Sequence, residues 1–220
     1  MPPAAVLVFM NLAILLDAPS AAIVFGGTLA ATMLRSGLGD CRVTLHKLGQ
    51  LGRSHFDADA VRAELALQIQ DIRRDGLLRA PQHHFEDSEF EDVTDTLLHR
   101  RSLAALLDRH ESHRARRLAQ SDRAVRTLAQ AGELAPVFGL AGTLVSLSQL
   151  GGGGFTAAIA MAVITTLYGL IAANFLFAPL ARMVERAAQA KERQRQEVID
   201  WLAVQLAEED PGRRRLRSAA

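Results

Sequence analysis

The sequence predicts an all-α membrane protein with three or four transmembrane helices. A helical cytoplasmic domain lies between the N-terminal membrane segment and a C-terminal transmembrane hairpin. Residues 134–150 and 155–181 contain no Asp, Glu, Lys, Arg or His, and only Gly151, Gly152, Gly153 and Gly154 separate them. A helix rises about 1.5 Å per residue, so roughly 20 apolar residues cross a bilayer core. The second arm has length to spare and the first just reaches. Charge is distributed in the complementary way. All 25 Lys and Arg of the 220 residues fall between Arg35 and Arg126 or between Arg182 and Arg217. Basic residues accumulate on the cytoplasmic flanks of spans, which places both blocks in the cytoplasm and the glycine turn on the far side.

Taken in order, the chain divides into 1–35, 36–133, 134–181 and 182–220, with the hairpin turn at 151–154. Residues 4–16 are apolar but short, Asp17 and Pro19 interrupt, and 20–34 are apolar again. Two full spans do not fit there, so 18–34 is read as one span with 4–16 as a short or partial companion. No basic residue precedes Arg35, as a cleaved signal peptide would require. In the cytoplasmic block, Val61, Leu65, Ile69 and Ile72 recur with helical spacing. Asp57 or Asp59 is the expected cap and Asp75-Gly76 the expected stop. Residues 81–92 read as an acidic loop, with a second helix through Val93, Leu97, Leu98, Ala104 and Leu107. A third helix over 112–131 leads into the hairpin. The tail extends the last span as a charged helix with Val184, Val198, Trp201, Leu202 and Leu206 on its apolar side. Pro211 ends it, and Arg213 to Arg217 are expected to be disordered.

Composition excludes several functions. A net charge of +1 gives no reason to invoke nucleic acid, and the single Cys41 cannot form an internal disulfide. His83 and His84, or His110 and His113, lack the matching ligands of a tetrahedral site, so no metal centre is expected. Gly151 to Gly154 lack the Lys-Ser/Thr that would make a phosphate loop. Arg114, Arg116 and Arg117 read as a charged helix face, with lipid headgroups as their alternative partner. No enzymatic constellation and no cofactor emerge.

What the membrane helices do carry is small residues and hydroxyls. Ala18, Ala22, Gly26 and Ala30 form one stripe, Ala135, Gly139 and Thr143 a second, and Ala158, Ala162, Thr166 and Gly169 a third. Gly27 and Gly142 add to this set of candidate helix contacts. Small residues let membrane helices approach closely, and ordinary packing is the simplest reading of most of them. Thr143 and Thr166 lie about 12 and 18 Å from the turn, near the bilayer middle, with Thr165 beside them. A hydroxyl there either bonds its own helix or offers oxygen to water or a cation. Ion carriers usually need a titratable group within the membrane. The hairpin has none, so either it conducts nothing or a second protein brings a carboxylate. Pro136 and Pro179, toward the cytoplasmic ends of the two arms, remove backbone hydrogen bonds and are candidate kinks.

Three stretches resemble the MotA/TolQ/ExbB proton-channel family, and within it the MotA and PomA type of flagellar stator subunit. They are PSAAIVFGGTLAATML from Pro19, ELAPVFGLAGTLVSLSQL from Glu133 and AIAMAVITTLYGLIAANFLFAPLA from Ala158. The resemblance implies a multi-pass protein of the bacterial inner membrane, assembled as a pentamer around a single-span partner of the MotB, ExbD or TolR kind. The partner's membrane Asp would carry the transported H+ or Na+, and ion flow would drive rotation or force transmission. By position, Thr143 and Thr166 match the pore hydroxyls, Pro136 and Pro179 the motif prolines, and Glu133 an acidic site before the first proline. Arg73 and Arg74 begin a segment similar to the one that meets the rotor. Where the stator pattern has a Glu shortly afterwards, this chain has Pro81. The alternatives are a non-flagellar energy-transducing subunit of an envelope or defence complex, or a membrane scaffold without conduction.

Overall fold

The computed structural model describes residues 17–52, 56–75, 87–100, 102–148 and 154–207, and almost all of them are helical, with no strand among them. Helix α1 is Ala18–Gln50. Asp17 caps it: its carboxylate accepts the Ser20 N–H at 3.0 Å and also the Ser20 hydroxyl. Pro19 sits in the first turn, where its missing N–H would have no helical partner anyway. The Asp-Ala-Pro that interrupts the apolar sequence is therefore a helix start. A π turn, Ala22–Gly26, follows. The helix passes the expected end of the span and breaks at Gly37, where φ is 81°. Only glycine takes that conformation without strain, and it stands two residues beyond Arg35, where the apolar stretch ends.

Helix α2 is Ala58–Asp75. Asp57, not Asp59, is its cap, accepting the N–H groups of Asp59 and Ala60 at 3.1 and 3.0 Å. Val61, Leu65 and Ile69 are buried, as their spacing requires.

Helix α3 is Ser88–Arg100, so the expected loop over 81–92 is wrong from Ser88 onward. Asp87 caps this helix by accepting the Glu89 N–H at 3.0 Å. Phe90 is 2% exposed and stacks on Phe56 at 5.9 Å between ring centroids. The acidic residues around this buried aromatic do not oppose the helix, because Asp87, Glu89 and Asp92 are half-buried in ion pairs with Arg195, Arg117 and Arg109.

The expected second helix is two helices. Ser102 starts a new one, its hydroxyl accepting the Ala105 N–H at 3.4 Å. Helix α4, Leu103–Ser148, then runs 46 residues without a break, joining the expected third helix to the first hairpin arm. Near its start Leu106 is buried, whereas Leu107 is 40% exposed.

After Gly154 come α5, Phe155–Ile171, a second π turn, Ala172–Phe177, and α6, Ala178–Ala207. Among the described residues, three helices are long and apolar enough to cross a membrane: Ala18–Gln50, Leu103–Ser148 and Ala158–Leu206. The chain is an all-α membrane protein. Residues 4–16, Gly151 to Gly153, Arg79, Pro81, Pro211 and the basic tail lie outside the described residues.

The chain forms two compact units. One is Met1–Gly52 with Ser121–Glu185, the other Arg53–Gln120 with Arg186–Ala220. Their cores differ in composition. Six of the nine buried residues clustered in the first are alanines, whereas the cluster in the second has none and is built from Val, Leu, Ile and Phe. Lipid tails are as apolar as Leu, so helices in membranes gain from close approach of small residues. In water a large buried side chain is worth about 1.5–3 kcal/mol, and the second core uses that. Val198, Ile199 and Leu202 of α6 complete it.

Candidate functional site

The two hairpin arms meet through glycines. A Cβ on Gly169 would lie 2.7 Å from the Ala135 carbonyl oxygen, and one on Gly139 would lie 3.0 Å from that of Thr165. One on Gly142 would fall 2.8 Å from the Thr165 Cβ. Close backbone contact is what small-residue positions permit in a membrane. Gly27 of α1 faces Phe138, whose ring would lie 2.3 Å from an added Cβ. Gly26 meets nothing within 4 Å, and Ala18, Ala22 and Ala30 of its stripe are also exposed in the single chain. The face of α1 buried here is Ser20, Val24, Thr28 and Thr32.

This contact fixes the hydroxyls. Gly139 lies against the backbone of Thr165 and Thr166, so Thr166 stands about one turn from the level of Thr143. Thr165 is fully buried in the contact, while Thr143 and Thr166 are partly exposed. Each donates to its own helix: Thr143 to the Leu140 carbonyl at 2.6 Å, Thr165 and Thr166 to that of Ala162 at 2.9 and 3.2 Å. Donation uses the hydroxyl proton and leaves the oxygen as an acceptor toward whatever lies beyond it.

Asp17 enters the same region. Its N–H donates to the Tyr168 hydroxyl at 3.1 Å, and the Phe25 and Tyr168 rings lie 6.4 Å apart. Tyr168 is fourteen residues, about 21 Å, beyond Gly154. Its neighbour Gly169 packs on Ala135, Pro136 and Gly139, near the start of the first arm. A tyrosine leans toward its helix N-terminus, so the Tyr168 hydroxyl meets Asp17 on the glycine-turn side of Gly169. Reading Asp17 as an interruption between apolar segments misses this. A lone carboxylate with apolar sequence on both sides was the available signal.

Both prolines lie within helices. Pro136 is inside α4, and Pro179 is the second residue of α6, directly after the π turn Ala172–Phe177. A π turn re-registers the backbone hydrogen bonds, which is how a helix can accommodate a following proline. Glu133 is exposed and pairs with Arg35 at 3.8 Å, marking the end of the apolar zone. Arg73 falls on the last turn of α2, and Arg74 is exposed there.

The second unit is held by an ion-pair network. Arg117 pairs with Glu192 at 2.6 Å and with Glu89; Arg195 pairs with Glu89 at 3.2 Å and with Asp87. The Arg195 guanidinium also lies 4.5 Å from the centre of the Phe56 ring. His113 bonds Asp92 at 2.5 Å, and Arg109 at 2.6 Å holds that carboxyl below the usual carboxylate range. His110 is buried, and among the described residues its Nε2 has no hydrogen-bond partner. Burial, and then the Arg117 charge, push its imidazole below the ordinary histidine value.

No curated protein is similar enough to this chain to register as a match. Among solved structures, the MotAB structure from C. jejuni is similar, with a TM-score of 0.74 and 19% identity over 87% of this chain and 79% of that one. The flagellar MotAB stator complex from Bacillus subtilis gives a TM-score of 0.75 and 18% identity over 94% and 89%. At such identities the likeness establishes the fold. The sequence pattern of the MotA/TolQ/ExbB proton channel family matches residues 79–197, more than half of the chain and inclusive of both hairpin arms. The chain belongs to the MotA/TolQ/ExbB proton channel family.

Proposed function

We propose that the chain is the ion-conducting, stator-type subunit of a motor in the bacterial inner membrane. It converts the flow of H+ or Na+ into mechanical work and performs no enzymatic chemistry of its own. It works as a ring, of five copies in this reading, around a single-span MotB-like partner whose membrane Asp carries the ion. Both similar solved structures are MotAB assemblies, which supports a partner of that kind. A rotor or envelope protein receives the force, with Arg73 and Arg74 as candidate contacts.

The observation that carries this reading is the chemistry of the arms. Thr143 and Thr166 are partly exposed hydroxyls whose protons go to their own helices, which leaves each an acceptor oxygen at the middle of segments that hold no ionisable group. Such oxygens can stand in for part of a cation's hydration shell or hold a water beside a carboxylate. Thr165 supports the path from inside the arm contact. Pro136, Pro179 and the adjoining π turn are the flexible points that couple the membrane arms to the cytoplasmic helices.

The test is ion flux through the chain co-expressed with its single-span partner. Thr143→Val and Thr166→Val keep shape and remove the oxygen, so assembly persists and flux falls sharply. Normal flux in the double variant would leave the hydroxyls with helix self-bonding alone.

A further inference from the structure

We infer that Asn174 is a third oxygen station on the ion path, at its cytoplasmic mouth. The inference rests on the reading of the chain as an ion conductor.

The first support is the chemistry of the side chain. Asn174 is the only amide side chain in residues 155–181, and it is exposed. Its Nδ2 donates to the Leu170 carbonyl at 2.9 Å. A carbonyl only accepts, so this bond holds the amide with its nitrogen against the helix. Among the described residues nothing donates to its Oδ1. Thr143 and Thr166 are held in the same way, with the donor turned to the helix and an acceptor oxygen left over.

The second support is the side of the hairpin on which that oxygen stands. The arms touch through Gly132, Gly139 and Gly142 of α4 and through Thr165, Gly169 and Ala173 opposite them. A residue one step further along is turned about 100° round its helix. The arms run in opposite directions, so that step turns both helices toward the same side. Thr143 follows Gly142, Thr166 follows Thr165 and Asn174 follows Ala173, so the three share one side. One step back leads to the other side, where α1 lies. Phe138 precedes Gly139 and meets Gly27, and Tyr168 precedes Gly169 and meets Asp17. The face away from α1 is open in the single chain, with Leu140 and Leu170 59% and 48% exposed.

The π turn contributes to this placement. In an unbroken α-helix, Thr166 and Asn174 would be about 80° apart in rotation. A π turn advances less per residue, so Ala172–Phe177 carries Asn174 back toward the Thr166 side. Its level is fixed by Gly132, whose added Cβ would lie 3.9 Å from the Ala173 carbonyl oxygen. Asn174 therefore stands level with Glu133, whose pair with Arg35 marks the end of the apolar zone. It is eight residues, about 12 Å, beyond Thr166 toward the cytoplasmic flank. An ion passing from the threonines to the cytoplasm meets this oxygen last. A neutral amide oxygen replaces part of a cation's hydration shell and binds weakly enough for the ion to leave.

Two substitutions separate the oxygen from the volume. Asn174→Leu keeps the size close and removes the amide. Asn174→Thr supplies a hydroxyl that can bond a carbonyl of its own helix and still present an oxygen. In proteoliposomes holding the chain with its single-span partner, Asn174→Leu lowers flux of H+ or Na+ roughly fivefold or more, and Asn174→Thr retains most of it. Phe175→Leu, at the adjoining exposed position, leaves flux unchanged. A readout at the site itself uses Asn174→Cys in a Cys41→Ser background. A charged, membrane-impermeant thiosulfonate reaches that thiol from the cytoplasmic side and stops the remaining flux, as a water-filled mouth requires.

Flux through Asn174→Leu within about twofold of wild type overturns the inference and leaves the conduction reading standing. Absence of flux in the wild-type complex overturns both. Should Asn174→Leu fail to assemble with the partner, the thiol variant decides. An unreactive thiol, or one that reacts without loss of flux, puts the amide in a helix contact and refutes the proposal.

Discussion

Replacing Gly169 by Ala tests whether the hairpin arms are held by backbone contact. The added Cβ would stand 2.7 Å from the Ala135 carbonyl oxygen and 3.1 Å from the Cα atoms of Gly139 and Pro136. All three are backbone atoms of one helix, so no side chain can swing away. Restoring ordinary contact moves the arms apart by a few tenths of an ångström to about 0.7 Å, and overpacking of this kind costs typically 1–3 kcal/mol. For a chain of this length that corresponds to a fall in Tm of roughly 2–12 °C. The assay is thermal unfolding in detergent, with Gly26→Ala and Gly27→Ala as companions. Gly26 has open space around it, so its variant melts like the wild type. At Gly27 the added atom comes nearer still, 2.3 Å, but to the Phe138 ring, which can rotate. The expected order of damage is therefore Gly169 first, Gly27 second, Gly26 none. An unchanged melt for Gly169→Ala, or a worse one for Gly27→Ala, would refute the argument that rigid backbone rather than proximity sets the cost.

Further outcomes follow from the same structure. Gly26→Leu leaves the single chain's contacts intact, so it folds but fails to form the oligomer, as size measurement in detergent and in lipid would show. Pro136→Ala and Pro179→Ala keep every charge and hydroxyl; both assemble with the partner and lose force output, and normal output in both would make the prolines passive. His110 has its folded value depressed, so the unfolded chain takes up the proton first. The stability that His110 contributes to the second unit is therefore fully present above about pH 6.5 and falls as pH drops below it toward the depressed folded value. His110→Gln removes that part of the slope, and melts at pH 7.5 and 5.5 read it. An unchanged slope would place the acid sensitivity elsewhere.

Hydrophobic spacing made much of the fold legible, because it reports which face is buried. Val61, Leu65 and Ile69 sit where their periodicity placed them, and the charge-free arms are helices. Element ends were less legible where one side chain decides them. Asp87 and Phe90 turn an acidic stretch into the start of α3, and Ser102 splits one apparent helix into two. The π turns left no mark in composition, since re-registering backbone bonds needs no particular side chain. Gly37 looked like any helix glycine; only its φ shows that it breaks α1. Within the site, the threonines and glycines could be named from their spacing. The contact of Asp17 with Tyr168 could not, because the two lie 151 residues apart in sequence.

The direction in which the hairpin hydroxyls point gives the arms a sign without giving them a charge. Thr143, Ser146, Ser148, Thr165 and Thr166 all donate to carbonyls of their own helices, so their protons are committed within the arm. At the partly or fully exposed members, Thr143, Ser148 and Thr166, what remains is oxygen lone pairs. An anion approaching such a surface finds no donor, whereas a cation or a water's hydrogen finds an acceptor. Helix self-bonding and ion contact, which begin as rival readings of a membrane threonine, are then compatible, because the first orients the oxygen for the second. The reading separates the sites as well. Thr165, enclosed between the arms, can only orient and pack, while Thr143 and Thr166 keep an open side. Cation preference of this origin survives the loss of any one hydroxyl but weakens with each. The double variant Thr143→Val with Thr166→Val should therefore lose more flux than either single change. Equal flux in single and double variants would mean that one oxygen alone meets the ion.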